Sequence, residues 1–245
     1  MADPKFSVII PAYNEEAYLP RLLDSIDAAR ENYARGADAV EVIVANNAST
    51  DQTAEIAESR GCRVAFVTKR TIAASRNGGA AIATGEILCF IDADSAIHPD
   101  SFNAIEAAFA DGHYIAGATG IYPERWSLGL LVTFLVAVPV VLLTGMDTGL
   151  VFCRRQDFEK IDGYDEALLY AEDVKFLWTL RKLGRQRGQT LVRLPQVKAL
   201  GSTRKFDQLG DWHYFALALK GLWAVLTGDD ASRETAERYW YKPQR

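Results

Sequence analysis

Short apolar runs alternate with segments of helical periodicity through the first half of the chain. Each run is almost continuous in hydrophobic residues, which predicts a strand buried on both faces. The runs lie at 6–10, 40–46, 63–67 and 86–92. After the first run, Leu19, Leu22 and Ile26 recur at helical spacing. Strands that alternate with helices in this way predict an α/β fold with a mostly parallel sheet covered on both faces.

Capping residues predict where the first helices begin. Asn14 follows the first strand and is the expected N-cap of the next helix. Ser49 and Gln52 have the spacing of a capping box, and Gly61 is the expected stop of the helix that follows. A third helical segment is expected over 71–85.

The second half of the chain has a less regular pattern. Strands are expected at 114–120 and 148–155, and a helix over 171–184. Residues 190–200 are expected to be extended, because Pro195 opposes a helix there.

Composition narrows the class of protein. The 245 residues carry a net charge of −5 with no block of Lys and Arg, so binding to nucleic acid is not expected. Cys62, Cys89 and Cys153 are widely spaced and odd in number, which favours free thiols in a reducing cytosol. The first residues lack the basic stretch of a signal peptide, so a cytoplasmic location is expected.

Two pairs of acids are the strongest candidates for chemistry. Asp92 and Asp94 directly follow the apolar run ILCFI, and carboxylates suit Mg²⁺ or Mn²⁺ bound together with substrate phosphates. The alternative is a turn or capping pair at the end of a strand. Glu172 and Asp173 stand in the predicted first turn of a helix, where acids favour the helix dipole. A carboxylate facing a cleft there could equally act as a general base on a hydroxyl.

Other polar stretches follow the predicted strands at the edge where ligands collect in such sheets. They are PAYNEE at 11–16 and NNAST at 46–50. Their short side chains either read the edge of a nucleotide base or cap the next helix. In SRNGG, at 75–79, the glycines indicate close packing or a ligand, and Arg76 would meet a phosphate or a surface carboxylate.

Taken in order, these stretches resemble the GT-A glycosyltransferases of family 2, which move a sugar from a nucleotide diphosphate donor to an acceptor. The likeness rests on SVIIPAYNEEAYLPRLLDSI, VIVANNASTDQT, SRNGGAAIATGEILCFIDADS and IDGYDEALLYAEDVKF. It covers residues 6–205. It implies a Rossmann-like, mostly parallel sheet flanked by helices, with an apolar helical segment and a C-terminal helix.

The resemblance also implies how the chain is divided. Residues 1–245 would form one GT-A domain. Its nucleotide-sugar-binding half would be 6–120 and its acceptor-binding half 121–205. Residues 206–245 would form a C-terminal lid and helical tail.

The resemblance assigns roles to particular residues of this chain. Asp173 would be the base that takes the proton from the acceptor in a single displacement with inversion, and Glu172 would orient the acceptor or Asp173. Asp94, assisted by Asp92 and His213, would hold Mn²⁺ or Mg²⁺. The residues implied in binding the nucleotide sugar are Pro11, Tyr13, Asn14, Glu15, Asn46, Asn47, Arg76, Asn77, Asp92, Ala93 and Arg204.

Two of these binding residues carry specific expectations. Arg204 lies in the stretch 201–213, which resembles a lid, and its planar fork suits phosphate oxygens. Asn46 stands where the family usually has an aspartate that helps to hold uracil. The resemblance therefore implies a uridine donor less strongly, and guanosine or thymidine donors stay open.

One segment, 127–146, is twenty residues long without a charge and could span a bilayer. It lies between Asp94 and Glu172, however, and a single crossing would separate two acids assigned to one site. Three interpretations stay open: a core helix kinked at Pro139, an interfacial or re-entrant membrane contact, and an oligomer interface. Residues 212–228 also have the mixed aromatic and aliphatic pattern of an interfacial helix.

The expected partners are a nucleotide-diphospho-sugar donor and a saccharide or lipid-linked acceptor. A membrane surface, at which the protein would sit peripherally on the inner face, and a second copy of the chain stay open. The alternative function is a non-catalytic module of the same fold that binds a nucleotide sugar or serves as a membrane scaffold.

Overall fold

The structure, a computed structural model, describes residues 3–168 and 172–212. Strands and helices alternate through most of the described chain. The strands are β1 (Phe6–Ala12), β2 (Val40–Asn46), β3 (Arg63–Phe66), β4 (Ile87–Phe90), β5 (Tyr114–Ala118), β6 (Ile121–Pro123), β7 (Val151–Arg154), β8 (Thr190–Arg193) and β9 (Ala199–Gly201). The helices are α1 (Leu19–Asn32), α2 (Thr53–Ser59), α3 (Ile72–Ala81), α4 (Ser101–Ala110), α5 (Leu128–Thr144), α6 (Arg155–Lys160), α7 (Glu172–Arg185) and α8 (Arg204–Leu209). Single-turn 3₁₀ helices lie at Ala37–Ala39 and Pro195–Val197.

The main sheet of the described residues has the strand order β3-β2-β1-β4-β7-β5-β8. Its pairs are parallel except where β7 runs antiparallel to β4 and to β5. A small second sheet joins β6 to β9. The mostly parallel α/β sheet expected from the alternating pattern is confirmed. The main sheet takes strands from both 6–120 and 121–205, and the division into two halves stays a prediction.

The core has two layers, one on each face of this sheet. Successive residues of a strand point to opposite faces, so Val8 and Ile10 join one layer and Ile9 the other. The first layer includes Phe102 of α4, and the second includes Phe176 of α7. The near-continuous apolar strands are therefore explained by burial on both sides.

The loops after β1 and β2 correct two expected helix starts. Asn14 is not an N-cap: it has a φ of 54°, and its Oδ1 accepts a hydrogen bond from Thr50 N at 2.8 Å. Ser49 does not cap α2, which begins only at Thr53; its Oγ accepts from Asn14 N at 3.0 Å. The two loops bond to each other instead of capping their own helices. The expected stop is confirmed, because α2 ends two residues before Gly61, whose φ is 71°.

Glycines set the depth at which α3 lies on the sheet. A Cβ on Gly79 would come within 2.5 Å of Ile9 Cγ2, and a Cβ on Gly78 within 2.5 Å of Val67 Cγ2. The helix begins after Thr71, whose side chain accepts from Ala74 N, and it ends four residues earlier than the pattern over 71–85 predicts. The last residues of that stretch instead form the tight connection into β4.

The apolar segment forms α5, and it is not the core helix that was one interpretation. Leu128 is 69% exposed and Leu135 65% exposed, whereas Leu130 is buried. Leu131 and Val138 are exposed as well, so a continuous outer face of the helix is apolar. Within the described ranges, no helix has both the length and the apolar character needed to cross a membrane. The proposed interfacial segment 212–228 lies, after Trp212, outside the described residues.

Candidate active site

Polar residues from separate loops meet at the carboxyl ends of β1, β2 and β4. Ala12, the last residue of β1, pairs in register with Asn46, the last residue of β2. Asp92 and Asp94 follow β4, which pairs with β1 on its other side. The strand order reverses between β1 and β4, and ligands bind at such points in open α/β sheets.

Arg76 of α3 joins the two pairs of acids that the sequence suggested. Its Nη1 donates to Glu172 Oε1 at 3.0 Å and also to Asp173 Oδ1. Its Nη2 donates to Asp92 Oδ1 at 3.0 Å. The side chain is almost completely buried, with 4% of the residue exposed. Arg76 was expected to meet a phosphate or a surface carboxylate, and the structure pairs it with exposed Asp92, partly buried Asp173 and buried Glu172.

Tyr164 lies under this arginine, and the sequence reasoning did not single it out. The Arg76 guanidinium carbon is 5.0 Å from the centre of the Tyr164 ring, which stacks on Phe176 at 4.0 Å. The Tyr164 hydroxyl is buried without a hydrogen-bond partner in the described part of the chain. Its position directly after Gly163, in a motif already quoted, was the available signal.

Burial dominates the electrostatics of Asp173. Loss of solvent raises its pKa from 3.8 to about 7, with Arg76 opposing the rise and with Glu172 and Asp92 adding to it. Although burial lowers the pKa of Arg76, Asp173 and its neighbours hold that pKa well above its usual value. A carboxyl group whose pKa lies near neutrality is suited to accept a proton at physiological pH.

The raised pKa of Asp173 makes a prediction about stability. Between its unfolded and folded pKa values the folded protein binds a proton that the unfolded chain releases, so this group's contribution falls as pH rises through about 7. Asp173→Asn should therefore gain stability relative to the wild type between about pH 5 and about pH 8. Chemical denaturation at both pH values measures the difference in the free energy of unfolding.

A matched control for this prediction is Asp165→Asn. A hydrogen bond from Lys175 lowers the pKa of Asp165, so that group is ionised in both states throughout the same pH range. The control's stability difference from the wild type should not change with pH. A constant difference for Asp173→Asn as well would contradict the assigned pKa.

A second ion cluster, on Arg204, occupies the same edge. The Arg204 fork binds Glu15, with Nη1 2.8 Å from Oε2 and Nη2 2.6 Å from Oε1. Arg204 Nε lies 2.9 Å from Asp94 Oδ2. Burial raises the pKa of both Glu15 and Asp94, whereas it lowers the pKa of the neighbouring Lys205 to about 8. Arg204 was expected to bind phosphate oxygens, and in this structure it binds the carboxylates of Glu15 and Asp94; its contact with a phosphate stays a prediction.

Asp92 and Asp94 fit a hard divalent cation. One carboxylate oxygen of Asp92 contacts Arg76, and one carboxylate oxygen of Asp94 contacts Arg204. The Asp92 side chain is 60% exposed and that of Asp94 is 18% exposed, so the pair borders open space. Among the described residues there is no cluster of three or more acidic, His or Cys side chains that could hold a metal. The remaining ligands would be phosphate oxygens and water, as is usual for Mg²⁺.

His213, the remaining expected metal ligand, lies outside the described residues. Its role in binding a cation stays a prediction.

Asn46 and Asn47 have structural partners in the loops at this edge. Asn46 Oδ1 accepts from Ser49 N at 2.9 Å. Asn47 Nδ2 donates to Val67 O at 3.0 Å and to Lys69 O at 2.8 Å. The Asn46 carbonyl is thus engaged by the backbone, and a contact of Asn46 with a nucleotide base, which the resemblance implies, stays a prediction.

The other expected binding residues lie near the same edge. Pro11 is within β1, and Ala93 is buried between the two aspartates. Tyr13 lies under Arg70, whose guanidinium carbon is 4.1 Å from the ring centre. Asn77 has a different place: its Oδ1 accepts from Tyr164 N, and its Nδ2 donates to Tyr164 O, both at 2.9 Å.

A cavity of about 510 Å³ opens beside Asn77 and the helix that carries Asp173. Its walls come from the loop 161–166 and from α7. Charged groups of both signs face it, among them Asp165 and Lys175. Sequence reasoning placed no pocket here, because the wall is assembled from segments far apart in the chain.

A comparison with known families identifies the family of this chain. The family described as Glycosyl transferase family 2 matches residues 7–134, just over half of the chain. The chain belongs to glycosyl transferase family 2.

Characterised relatives match a shorter part of the chain. The poly(ribitol-phosphate) β-N-acetylglucosaminyltransferase TarS of Staphylococcus aureus is 34% identical over 116 residues, which are 45% of this chain and 19% of TarS. The validoxylamine A glucosyltransferase of Streptomyces hygroscopicus subsp. limoneus is 34% identical over 113 residues, 44% of this chain and 24% of that enzyme. The match thus spans less than a quarter of either relative.

Solved structures share the fold over most of the chain. A mannosyltransferase from Pyrobaculum calidifontis, in complex with GDP-Man and Mn²⁺, has a TM-score of 0.64 and 24% identity, with 82% of this chain and 57% of that one covered. TarS 1–349 of S. aureus with UDP has a TM-score of 0.61 and 24% identity, with 81% and 60% covered. These likenesses confirm the expected GT-A type of fold.

Proposed function

We propose that this protein transfers a sugar, with inversion, from a nucleotide diphosphate sugar to an acceptor hydroxyl or phosphate. Family membership supports the reaction class. The observation that carries the proposal is the meeting of Asp173 with Asp92 around Arg76, beside Asp94, at the carboxyl edge of the sheet. A candidate base and candidate cation ligands thus share one site.

Asp173 is the proposed general base. It lies in the first turn of α7, partly buried, with a pKa raised to about 7. It would accept the acceptor's proton while the acceptor oxygen attacks the anomeric carbon from the face opposite the leaving diphosphate. Glu172 binds the same Nη1 of Arg76 and would orient Asp173. A single displacement of this kind needs no covalent intermediate on the enzyme.

Asp94 and Asp92 would hold Mn²⁺ or Mg²⁺. Held there by Asp94 and Asp92, the cation would supply positive charge against the negative charge that develops on the diphosphate leaving group. Arg204 and Lys205 add positive charge beside Asp94. The Arg204 fork, which now holds Glu15 with two hydrogen bonds, has the geometry to hold phosphate oxygens in the same way.

Fewer observations bear on which nucleotide base the donor carries and on what kind of molecule the acceptor is. The structural relatives were solved with UDP or with GDP-Man and Mn²⁺, which supports a nucleotide-sugar donor here. The exposed apolar face of α5 supports a lipid-linked acceptor or a peripheral membrane contact. A saccharide acceptor and a dimer through the same face are the alternatives.

A binding screen followed by a transfer assay tests the proposal. With Mn²⁺ present, one of a set of UDP-, GDP- and dTDP-sugars should raise the thermal unfolding midpoint. Saturation at a hundred times Kd corresponds to about 2.7 kcal/mol of added stability. The stabilising donor should then be consumed in the presence of saccharide or polyprenyl-phosphate acceptors.

Three outcomes separate the hypotheses. Donor-dependent stabilisation with transfer supports the enzyme. Stabilisation without transfer to any acceptor, and without slow hydrolysis of the donor, favours the non-catalytic binding module. The absence of stabilisation by every donor would overturn both.

A further inference from the structure

Arg76 connects groups that the proposed reaction uses on its donor side and on its acceptor side. Its Nη2 holds Asp92 on the donor side, and its Nη1 holds Asp173 and Glu172 on the acceptor side. A guanidinium group is planar and rigid, so hydrogen bonds to both of its ends constrain the separation of the groups that accept them. The position of the base relative to the donor-side acid is thus tied to one side chain.

The surroundings of Arg76 hold that side chain in one place. Gly78 and Gly79 allow α3 to lie close against the sheet, since a Cβ on either would contact a neighbouring side chain at 2.5 Å. The ring of Tyr164 lies against the guanidinium and is itself stacked on Phe176 of α7. Arg76 is therefore supported both by its own helix and by the helix that carries Asp173.

We propose that Arg76 is a positioning residue that holds Asp173 against the donor-side acid Asp92 and directs one oxygen of Asp173 to the acceptor. This inference rests on the proposed function. Arg76 binds Asp173 through Oδ1. Proton transfer from the acceptor is accordingly assigned to Oδ2. Arg76 itself gains and loses no proton in the reaction, and it touches neither reacting atom.

The buried charge gives Arg76 a second contribution to the same role. Glu172 is buried and Asp173 is partly buried, and leaving these acids without a cation would be costly. The Arg76 guanidinium lies between them and Asp92 and offsets part of their repulsion. Removal of this charge should therefore disturb the acids themselves as well as their spacing.

A double-mutant cycle tests whether Arg76 acts through Asp173. Arg76→Met should lower kcat by about a hundredfold, the scale of loss expected when reacting groups are misplaced by about an ångström. The KM for the donor should change much less. In the Asp173→Asn background, the same substitution should cause a much smaller loss, since the base that Arg76 positions is already absent and only its effect on Asp92 and Glu172 remains.

Two further variants separate positioning from loss of fold. Arg76→Lys keeps the charge but not the fork, and should recover part of the kcat lost by Arg76→Met. The control Arg187→Met removes another arginine, whose Nη1 is 2.5 Å from buried Asp157 and which follows the C-terminal end of α7, opposite the first turn that carries Asp173. Its kcat should stay near that of the wild type. Thermal midpoints without donor report the stability of every variant.

Different outcomes would overturn the positioning role of Arg76 and the proposed function of the protein. The positioning role alone is overturned if the losses of kcat caused by Arg76→Met and Asp173→Asn multiply in the double variant. It is also overturned if Arg187→Met lowers kcat as much as Arg76→Met does. If Arg76→Met does not fold, the Arg76→Lys cycle with Asp173→Asn decides by the same criterion. A wild type that transfers no sugar from any stabilising donor overturns the proposed function and this inference with it.

Discussion

Replacing Asp173 by Asn is expected to lower the rate of sugar transfer by about 10²- to 10⁴-fold, the range that general bases contribute. The amide keeps an oxygen that can accept from Arg76 Nη1, so the contact across the site survives while the basicity is lost. Donor binding should stay close to that of the wild type, because Asp173 is assigned to the acceptor side. Initial rates at saturating donor, with donor-dependent thermal shifts, measure the two effects separately.

The neighbouring acid provides the matched control for this prediction. Glu172→Gln changes a carboxylate one position away that binds the same nitrogen of Arg76. Because Glu172 is assigned an orienting role, Glu172→Gln should lower the transfer rate much less than Asp173→Asn does. A larger loss in Glu172→Gln, or unchanged transfer in Asp173→Asn, would show that the base has been assigned to the wrong residue.

Replacing Asp94 by Asn is expected to remove most of the metal-dependent stabilisation by donor and to lower the transfer rate by about a hundredfold or more. The amide oxygen can still accept from Arg204 Nε, so the ion cluster loses a charge but keeps a hydrogen bond. The measurement is a titration of Mn²⁺ at fixed nucleotide diphosphate, followed by thermal unfolding.

Asp207→Asn is the control for the metal prediction. Asp207 is on α8, three residues after Arg204, and pairs with Arg125 at the surface. It should leave both the Mn²⁺ dependence and the rate unchanged. If Asp94→Asn binds Mn²⁺ and nucleotide as the wild type does, the cation is held elsewhere, and the assignment of Asp94 fails.

The architecture of the first half could be predicted because its causes are local or periodic. Burial on both faces produces continuous apolar strands, and the helices between them keep an apolar stripe. Strands of a parallel sheet end at one edge, which is why the sequence alone indicates that Asn46 and Asp92 lie near each other. The order of the family motifs added the reaction class.

Other features could not be predicted, because they depend on contacts between distant segments. Asn14 and Ser49 have the residue types of helix caps, but they bond across two loops that only the β1–β2 pairing brings together. Arg204 was expected at a phosphate, yet Glu15, 189 positions away, accepts both ends of its fork. The apolar pattern of α5 was equally compatible with burial and exposure, since a uniformly apolar helix indicates no face.

The sequence by itself determined the class of fold, the edge of the sheet that carries the site, and the acids Asp92, Asp94 and Asp173 as its chemical candidates. Only the tertiary structure decided how these acids are arranged: Arg76 joins Asp173 to Asp92, and Arg204 joins Asp94 to Glu15. The physical reason is the separation along the chain of the residues that interact. Strand and helix patterns follow from the neighbours of each residue along the chain, whereas a buried ion pair forms between side chains that only the completed sheet and its covering helices bring within reach.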